Sequence, residues 1–206
     1  MSAVAATRAR PAAWGFPELV VFVAGISTLG AEIAAARLVA PAFGASTVVW
    51  ANTIAVVLVA LAGGYWLGGR LADRHPHPRG LAFAALLGAG LVALIPLAAI
   101  PLLNVTEDAL TELPGSLLVL LVLVAPPVLV LGALSPWAIR LRVRTVQSAG
   151  DVTGRLYALS TAGGLVGNFA AALALIPWVG TRWTFLICAA LLAAVSAPVA
   201  WSSRPA

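Results

Sequence analysis

Six long apolar stretches, separated by short polar connections, make up most of the sequence. They cover residues 16–39, 46–68, 81–103, 115–139, 156–178 and 183–201. A helix needs about 20 mostly apolar residues to cross the roughly 30 Å hydrocarbon core of a bilayer, and each stretch is close to that length. The pattern therefore predicts an all-α fold, a polytopic bundle of about six transmembrane helices in a lipid bilayer.

The segments outside this bundle are short. We expect an N-terminal tail over residues 1–14, one transmembrane domain over residues 15–201 and a C-terminal tail over residues 202–206. Prolines in the third and fourth stretches are expected to kink or end those helices unless neighbours satisfy the freed carbonyls. They are Pro96, Pro101, Pro126, Pro127 and Pro136.

The arginines are distributed unequally between the two sides of the predicted bundle. With six spans, ten of the twelve fall on the side of the termini, namely Arg8, Arg10, Arg70, Arg74, Arg79, Arg140, Arg142, Arg144, Arg155 and Arg204. The other side carries Arg37 and Arg182 together with the acids Glu107, Asp108 and Glu112. Because basic residues are in excess in cytoplasmic loops, both termini are expected to face the cytoplasm.

Composition narrows the classes of function. Hydrophobic residues make up 62% of the chain and charged residues 9%, with a mean hydropathy of +1.03. No stretch alternates strands with amphipathic helices, so no cofactor-binding fold is expected. The net charge of +5 comes from arginines between spans, which orient a membrane protein rather than bind nucleic acid. His75 and His77 alone are too few ligands to predict a metal site.

Small residues at helical spacing predict two close helix contacts. Gly64 and Gly68 lie one turn apart in the second stretch, and Gly163 and Gly167 repeat this spacing in the fifth. Lipid gives helices no hydrophobic reason to associate, so close backbone approach through small residues has to supply much of the packing. The partner helix can belong to the same chain or to a second copy, as in a homodimer.

Four polar residues within the predicted spans are candidates for a substrate or proton site. A carboxylate deep in a span costs several kcal/mol unless it is paired, protonated or wetted, and Glu32 lies roughly 6 Å from the midplane of the first span. Arg37 is about 140° around the helix from Glu32, so each is expected to seek partners on other helices. Glu32 can bind a cation, carry a proton or form a buried ion pair. Asn52 and Asn168 can line a polar cavity or hydrogen-bond between helices.

Two blocks of the chain resemble the membrane region of the bacterial fused major-facilitator/spermidine-synthase proteins. The first runs from Glu32 to Arg74 and includes Gly64-Tyr65-Trp66-Leu67-Gly68-Gly69-Arg70. The second includes Pro136, Leu156-Tyr157-Ala158, Gly163-Gly164 and Gly180-Thr181-Arg182. In that family a soluble aminopropyltransferase-like domain follows the membrane region. The 206 residues have no counterpart of that domain, so no catalytic residue is carried over and we do not expect an enzyme.

The segment Gly69–Arg74 is also similar to the signature between the second and third helices of major-facilitator proteins. There an acid and arginines form a cytoplasmic charge latch, which would here consist of Asp73 with Arg70, Arg74 or Arg140. The plain alternative is a solvated loop that only sets topology. Six spans are half of the usual twelve, so the resemblance implies a half-major-facilitator-like bundle, and alternating access would require two copies.

Two functions are consistent with these features. The first is a transporter-like module for polyamines or another small cationic metabolite, acting as a homodimer in a bacterial plasma membrane. The second is a non-transporting membrane subunit that docks a separate soluble spermidine-synthase-like enzyme through its arginine-rich cytoplasmic face. A helix bundle without a ligand is the third, plainer alternative.

Overall fold

The computed structural model describes residues 14–107 and 109–201, and in these ranges the chain forms helices and no strand. The helices are α1 (Phe16–Phe43), α2 (Thr47–Arg74), α3 (Pro78–Thr106), α4 (Glu112–Leu123), α5 (Ala125–Arg142), α6 (Val146–Ala170), α7 (Ile176–Val179) and α8 (Thr181–Ala200). A π-helical segment, Ala171–Leu175, joins α6 to α7. Five helical segments are long and apolar enough to cross a membrane, or six if the bent pair α4–α5 is one span. The all-α polytopic bundle is therefore confirmed.

Several helices extend beyond the predicted spans. α2 continues to Arg74 rather than ending near residue 68, and α6 begins at Val146, ten residues before the fifth apolar stretch. The connection predicted over residues 140–155 is thus largely helical. Backbone hydrogen bonding continues past the apolar residues because a helix satisfies its own donors and acceptors in water as well as in lipid, whereas hydropathy marks only the hydrocarbon-spanning part.

Glycines end two helices and permit sharp turns between spans. Gly44 follows α1 with φ of +83°, and Gly180 separates α7 from α8 with φ of +87°. Positive φ favours glycine because a Cβ would be strained there. Ser46 then caps α2, its Oγ accepting hydrogen bonds from the backbone N–H groups of Val48 and Val49. The α1–α2 connection is consequently only a few residues long.

Prolines have different effects in different helices. α4 and α5 meet at Val124 with a bend of 50°, immediately before Pro126 and Pro127. α3 instead runs through Pro96 and Pro101 as one helix. Because a proline lacks the N–H and its ring clashes with the carbonyl four residues earlier, two adjacent prolines remove two consecutive hydrogen bonds of the helix, which accounts for the break at α4–α5.

The spans pack in a pattern that repeats after every third span. The closest packed pairs are α2 with α5 and α1 with α6, followed by α3 with α8, α1 with α8 and α3 with α5. Let α4–α5 be counted as the fourth span, α6–α7 as the fifth and α8 as the sixth. If α1 is then exchanged with α5, α2 with α6 and α3 with α8, the same set of packed pairs results. With that count, three crossings separate the exchanged spans, so the two halves would run through a membrane in opposite directions, which is the geometry of an inverted repeat.

Large apolar side chains cover much of the outer surface. They include Leu58 and Val59 on α2, Leu97 and Ile100 on α3, and Leu173 after α6, each at least 58% exposed. A soluble monomer rarely exposes so many large apolar side chains. This surface suits the hydrocarbon of a lipid bilayer.

Candidate functional site

A cavity of about 200 Å³ lies where the α1–α6 pair meets the α2–α5 pair. Its hydroxyl-bearing walls come from all four helices: Thr28 from α1, Tyr65 from α2, Ser135 from α5, and Tyr157, Ser160 and Thr161 from α6. Tyr65 and Tyr157 remain 42% and 45% exposed, so the cavity opens onto the surface of the bundle. Polar side chains grouped at one opening between spans are suited to binding a small polar ligand.

Close backbone contacts within each helix pair form the rigid walls of this cavity. A Cβ at Gly64 would overlap the carbonyl oxygen of Leu129, and one at Gly68 would lie 2.5 Å from the Cα of Ala133. These two glycines therefore face α5. The packing leaves no room for a side chain, so the α2–α5 distance depends on glycine at both positions.

The second glycine pair lies at the other wall. A Cβ at Gly163 would overlap the carbonyl oxygen of Phe22, and one at Gly167 would overlap that of Ile26. Both glycines therefore face α1 of the same chain. The four-residue spacing of Gly163 and Gly167 against Phe22 and Ile26 repeats the spacing of Gly64 and Gly68 against Leu129 and Ala133.

The lining residues follow the same internal repeat. Phe22 on α1 and Leu129 on α5 are equivalent, because each provides the carbonyl that the first glycine of a pair approaches. Counting from these two residues, Gly25 corresponds to Gly132 and Thr28 corresponds to Ser135. Leu61 and Ser160, each three residues before the contacting glycine of its helix, also correspond. The cavity is thus built from equivalent positions of the two halves and lies where the halves meet.

Glu32 follows Thr28 by one helical turn on the same face of α1, but Glu32 does not itself line the cavity. It is half-buried, and among the described residues it makes no ion pair or side-chain hydrogen bond. Arg37 is exposed near the end of α1 and also lacks an ion-pair partner there. The partners expected for these two residues on other helices are therefore not found in the described part of the chain.

The two candidate asparagines occupy different environments. Asn52 donates hydrogen bonds from Nδ2 to the Leu113 carbonyl at 3.0 Å and to Ser116 Oγ at 2.8 Å, which ties α2 to α4. Asn52 does not line the cavity. At the same end of the bundle as Asn52, Ser46 forms a hydrogen bond with Glu112. Asn168 is half-buried two residues before the end of α6. Neither asparagine lines the cavity, and among the described residues neither forms a hydrogen bond with Glu32.

The residues of the proposed latch lie at the arginine-rich end, defined here by Arg70, Arg74, Arg79, Arg140, Arg142, Arg144 and Arg155. Asp73 at the end of α2 accepts a hydrogen bond from Nε of Arg140 on α5 at 2.9 Å, an exposed ion pair. Arg70 instead stacks on Trp66, with its guanidinium 4.0 Å from the ring centroid. The structure therefore pairs Asp73 with Arg140 among the candidates.

A second ion pair at this end was missed by the sequence analysis. Glu18 in the first turn of α1 is 4% exposed, and its Oε2 accepts a hydrogen bond from Arg142 at 2.5 Å. The pair joins α1 to α5 beside Arg155 and Asp151 of α6. The available signal was an acid at the start of an apolar stretch, opposite an arginine cluster, but nothing local indicated which arginine would reach it.

Comparison of the chain with models of known protein families, with curated proteins and with solved structures found no match. The resemblance to the fused major-facilitator/spermidine-synthase proteins therefore depends on the sequence blocks alone.

Proposed function

We propose that the chain is a membrane transport module for a small cationic metabolite and that two copies form the working carrier. The observation that carries this proposal is the hydroxyl-lined cavity between the two glycine-packed helix pairs. Transporters built from inverted repeats bind their substrates near the midplane, where the repeats meet. The repeated contact pattern of this bundle supports a site of that kind.

The chemistry near the cavity favours a cation. Glu32 supplies a carboxylate without a counter-charge among the described residues, and unpaired acids within spans are functional candidates by default. Tyr65 and Tyr157 supply aromatic faces that attract ammonium groups. An aliphatic polyamine combines ammonium groups with an apolar chain, so putrescine and spermidine are the first substrates to test.

The open side of the cavity supports a second copy as the other half of the carrier. Tyr65, Tyr157 and Thr161 line the cavity yet are exposed at its mouth. A second bundle placed against α2 and α6 would cover these side chains. The bias in arginine positions supports an orientation in a bacterial inner membrane with the arginine-rich end in the cytoplasm.

The docking alternative receives less support from the contacts. It assigns partner binding to Arg140, Arg142 and Arg144, but Arg140 is paired with Asp73 and Arg142 with Glu18. Two of its three charges therefore serve contacts within the chain. Charge reversal at these positions would also disturb the bundle, which leaves transport as the better supported function.

Uptake by reconstituted protein tests the proposal. Proteoliposomes containing the wild-type chain are expected to accumulate labelled putrescine or spermidine faster than empty vesicles. Glu32→Gln is expected to reduce uptake to the level of empty vesicles because the neutral amide cannot balance an ammonium charge.

Glu107→Gln serves as the matched control, since Glu107 is an exposed carboxylate beyond the end of α3. It is expected to transport at the wild-type rate. Thermal unfolding in detergent establishes that both variants are folded. Wild-type uptake equal to that of empty vesicles, or full activity of Glu32→Gln, would contradict the proposal.

A further inference from the structure

A second and larger cavity, a groove of about 440 Å³, lies between α2, α3 and α5 near the arginine-rich end. Its apolar walls include Leu67 and Leu71 on α2, Leu87 on α3, and Leu129 and Val130 on α5. Leu67, Leu71 and Leu87 are 43–57% exposed, so the mouth of the groove opens toward surrounding lipid. It is separate from the cavity assigned to transport.

Two arginines at one end of the groove have no counter-charge among the described residues. Arg70 and Arg74 lie one turn apart on α2 and both line the groove. Asp73, the acid next to Arg74, is held by Arg140 at 2.9 Å. Neither Arg70 nor Arg74 forms an ion pair with any residue in the described ranges.

Two tryptophans, Trp66 and Trp137, also line the groove. The Arg70 guanidinium stacks on Trp66 at 4.0 Å from the ring centroid, and both side chains line the groove. Trp137 lines the groove, is 4% exposed, and its buried Nε1 has no hydrogen-bond partner within the described part of the chain. Two arginines without an ion-pair partner in the described ranges favour an occupant that brings anionic oxygen atoms.

We propose that this groove binds an anionic phospholipid, with its phosphate at Arg70 and Arg74 and an acyl chain along the leucine-lined walls. Arginine pairs recognise phosphate through charge-assisted hydrogen bonds, and basic pockets between spans bind acidic lipid headgroups. From Arg74 to Trp66 the groove descends about 12 Å along α2, at the helical rise of ~1.5 Å per residue. An apolar wall of that depth suits a lipid tail and has no use in binding free phosphate.

Lipid titration of the purified chain tests the proposal. Protein in detergent is mixed with phosphatidylglycerol, phosphatidylethanolamine or inorganic phosphate, and bound lipid is counted by native mass spectrometry while thermal unfolding is followed in parallel. Phosphatidylglycerol is expected to form a one-to-one adduct and raise the unfolding temperature. Arg70→Gln/Arg74→Gln is expected to weaken this binding by roughly tenfold or more.

The control variant is Arg144→Gln/Arg182→Gln, which removes the same net charge from exposed positions outside the groove. It is expected to bind phosphatidylglycerol like the wild type. Ala84→Trp fills the groove while keeping both arginines, and it is also expected to lose the adduct. Equal binding by the two double variants, or equal stabilisation by inorganic phosphate, would overturn the proposal.

Discussion

The two ion pairs at the arginine-rich end differ in how much they contribute to the stability of the fold. Glu18 is buried, whereas the side chains of Asp73 and Arg140 are 71% and 48% exposed. An exposed pair contributes about 0–1 kcal/mol, but removing one partner of a buried pair leaves an uncompensated charge that costs about 3–5 kcal/mol. Burial therefore makes Arg142 the more critical of the two arginines for stability.

Arg142→Gln is accordingly expected to lower the free energy of unfolding by about 1–3 kcal/mol, because it removes the hydrogen-bonded cation of the buried Glu18 carboxylate and leaves only the longer-range attraction of Arg155. Arg140→Gln is expected to change it by less than about 1 kcal/mol. The double variant Glu18→Gln/Arg142→Gln should recover part of the loss, since no charge remains buried. Equilibrium unfolding in mixed micelles measures all three, and similar losses for Arg140→Gln and Arg142→Gln would contradict this assignment.

The glycines at helix contacts provide a second prediction for single residues. Gly163→Ala is expected to destabilise the bundle by about 1–3 kcal/mol, because the added Cβ would push α6 away from the Phe22 carbonyl. Gly154→Ala on the same helix meets no atom within 4 Å and is expected to be neutral or slightly stabilising, by up to about 1 kcal/mol. Thermal unfolding of the two variants under identical conditions checks the difference in sign.

At the scale of elements, two helix irregularities lie beside prolines. Pro177 follows the π-helical segment Ala171–Leu175, in which the Ile176 N–H bonds the Ala171 carbonyl. Since Pro177 has no N–H and its ring crowds the carbonyl four residues earlier, widening this turn accommodates the ring. α3, in contrast, tolerates Pro96 and Pro101 while remaining one helix.

The 50° bend between α4 and α5 is expected to straighten when Pro126 and Pro127 are both replaced by alanine. With 12 and 18 residues in the two helices, straightening would lengthen the span by about 4 Å at a rise of ~1.5 Å per residue. Spin labels at Leu113→Cys and Arg144→Cys in a Cys188→Ala background allow the distance to be measured by electron paramagnetic resonance. An unchanged distance would show that packing against α2 and α3 sets the bend.

At the scale of the whole molecule, the cavity between the two halves is open on one side. The cavity is bounded by α1, α2, α5 and α6 but opens at Tyr65, Tyr157 and Thr161. In a two-fold dimer closed over this opening, residues near the axis of one copy approach the same residues of the other.

Thr161→Cys in the Cys188→Ala background is therefore expected to form a disulfide-linked dimer on mild oxidation in membranes. Leu97→Cys is the control, because Leu97 is 58% exposed on α3, which does not line the cavity. It is expected to remain monomeric under the same oxidation. Cross-linking of both variants to the same extent, or of neither, would contradict a dimer across the cavity mouth.

The sequence alone was sufficient for the span pattern, because the length of an apolar stretch can be compared directly with the bilayer thickness. It also indicated Gly64, Gly68, Gly163 and Gly167 as contact positions, since their spacing places each pair on one helix face. The unusual position of Glu32 was visible in the same way. These features are local and need no knowledge of neighbouring helices.

Only the tertiary structure decided which helices meet and what lies between them. Glu18 and Arg142 are 124 positions apart, and helical periodicity indicates which face of a helix is used without indicating its partner. The cavity at Thr28 and Ser135 and the groove at Arg70 and Arg74 likewise arise from several spans together. Helix packing brings side chains from distant parts of the sequence together. The order of polar and apolar residues along the chain does not show which helices will pack against each other.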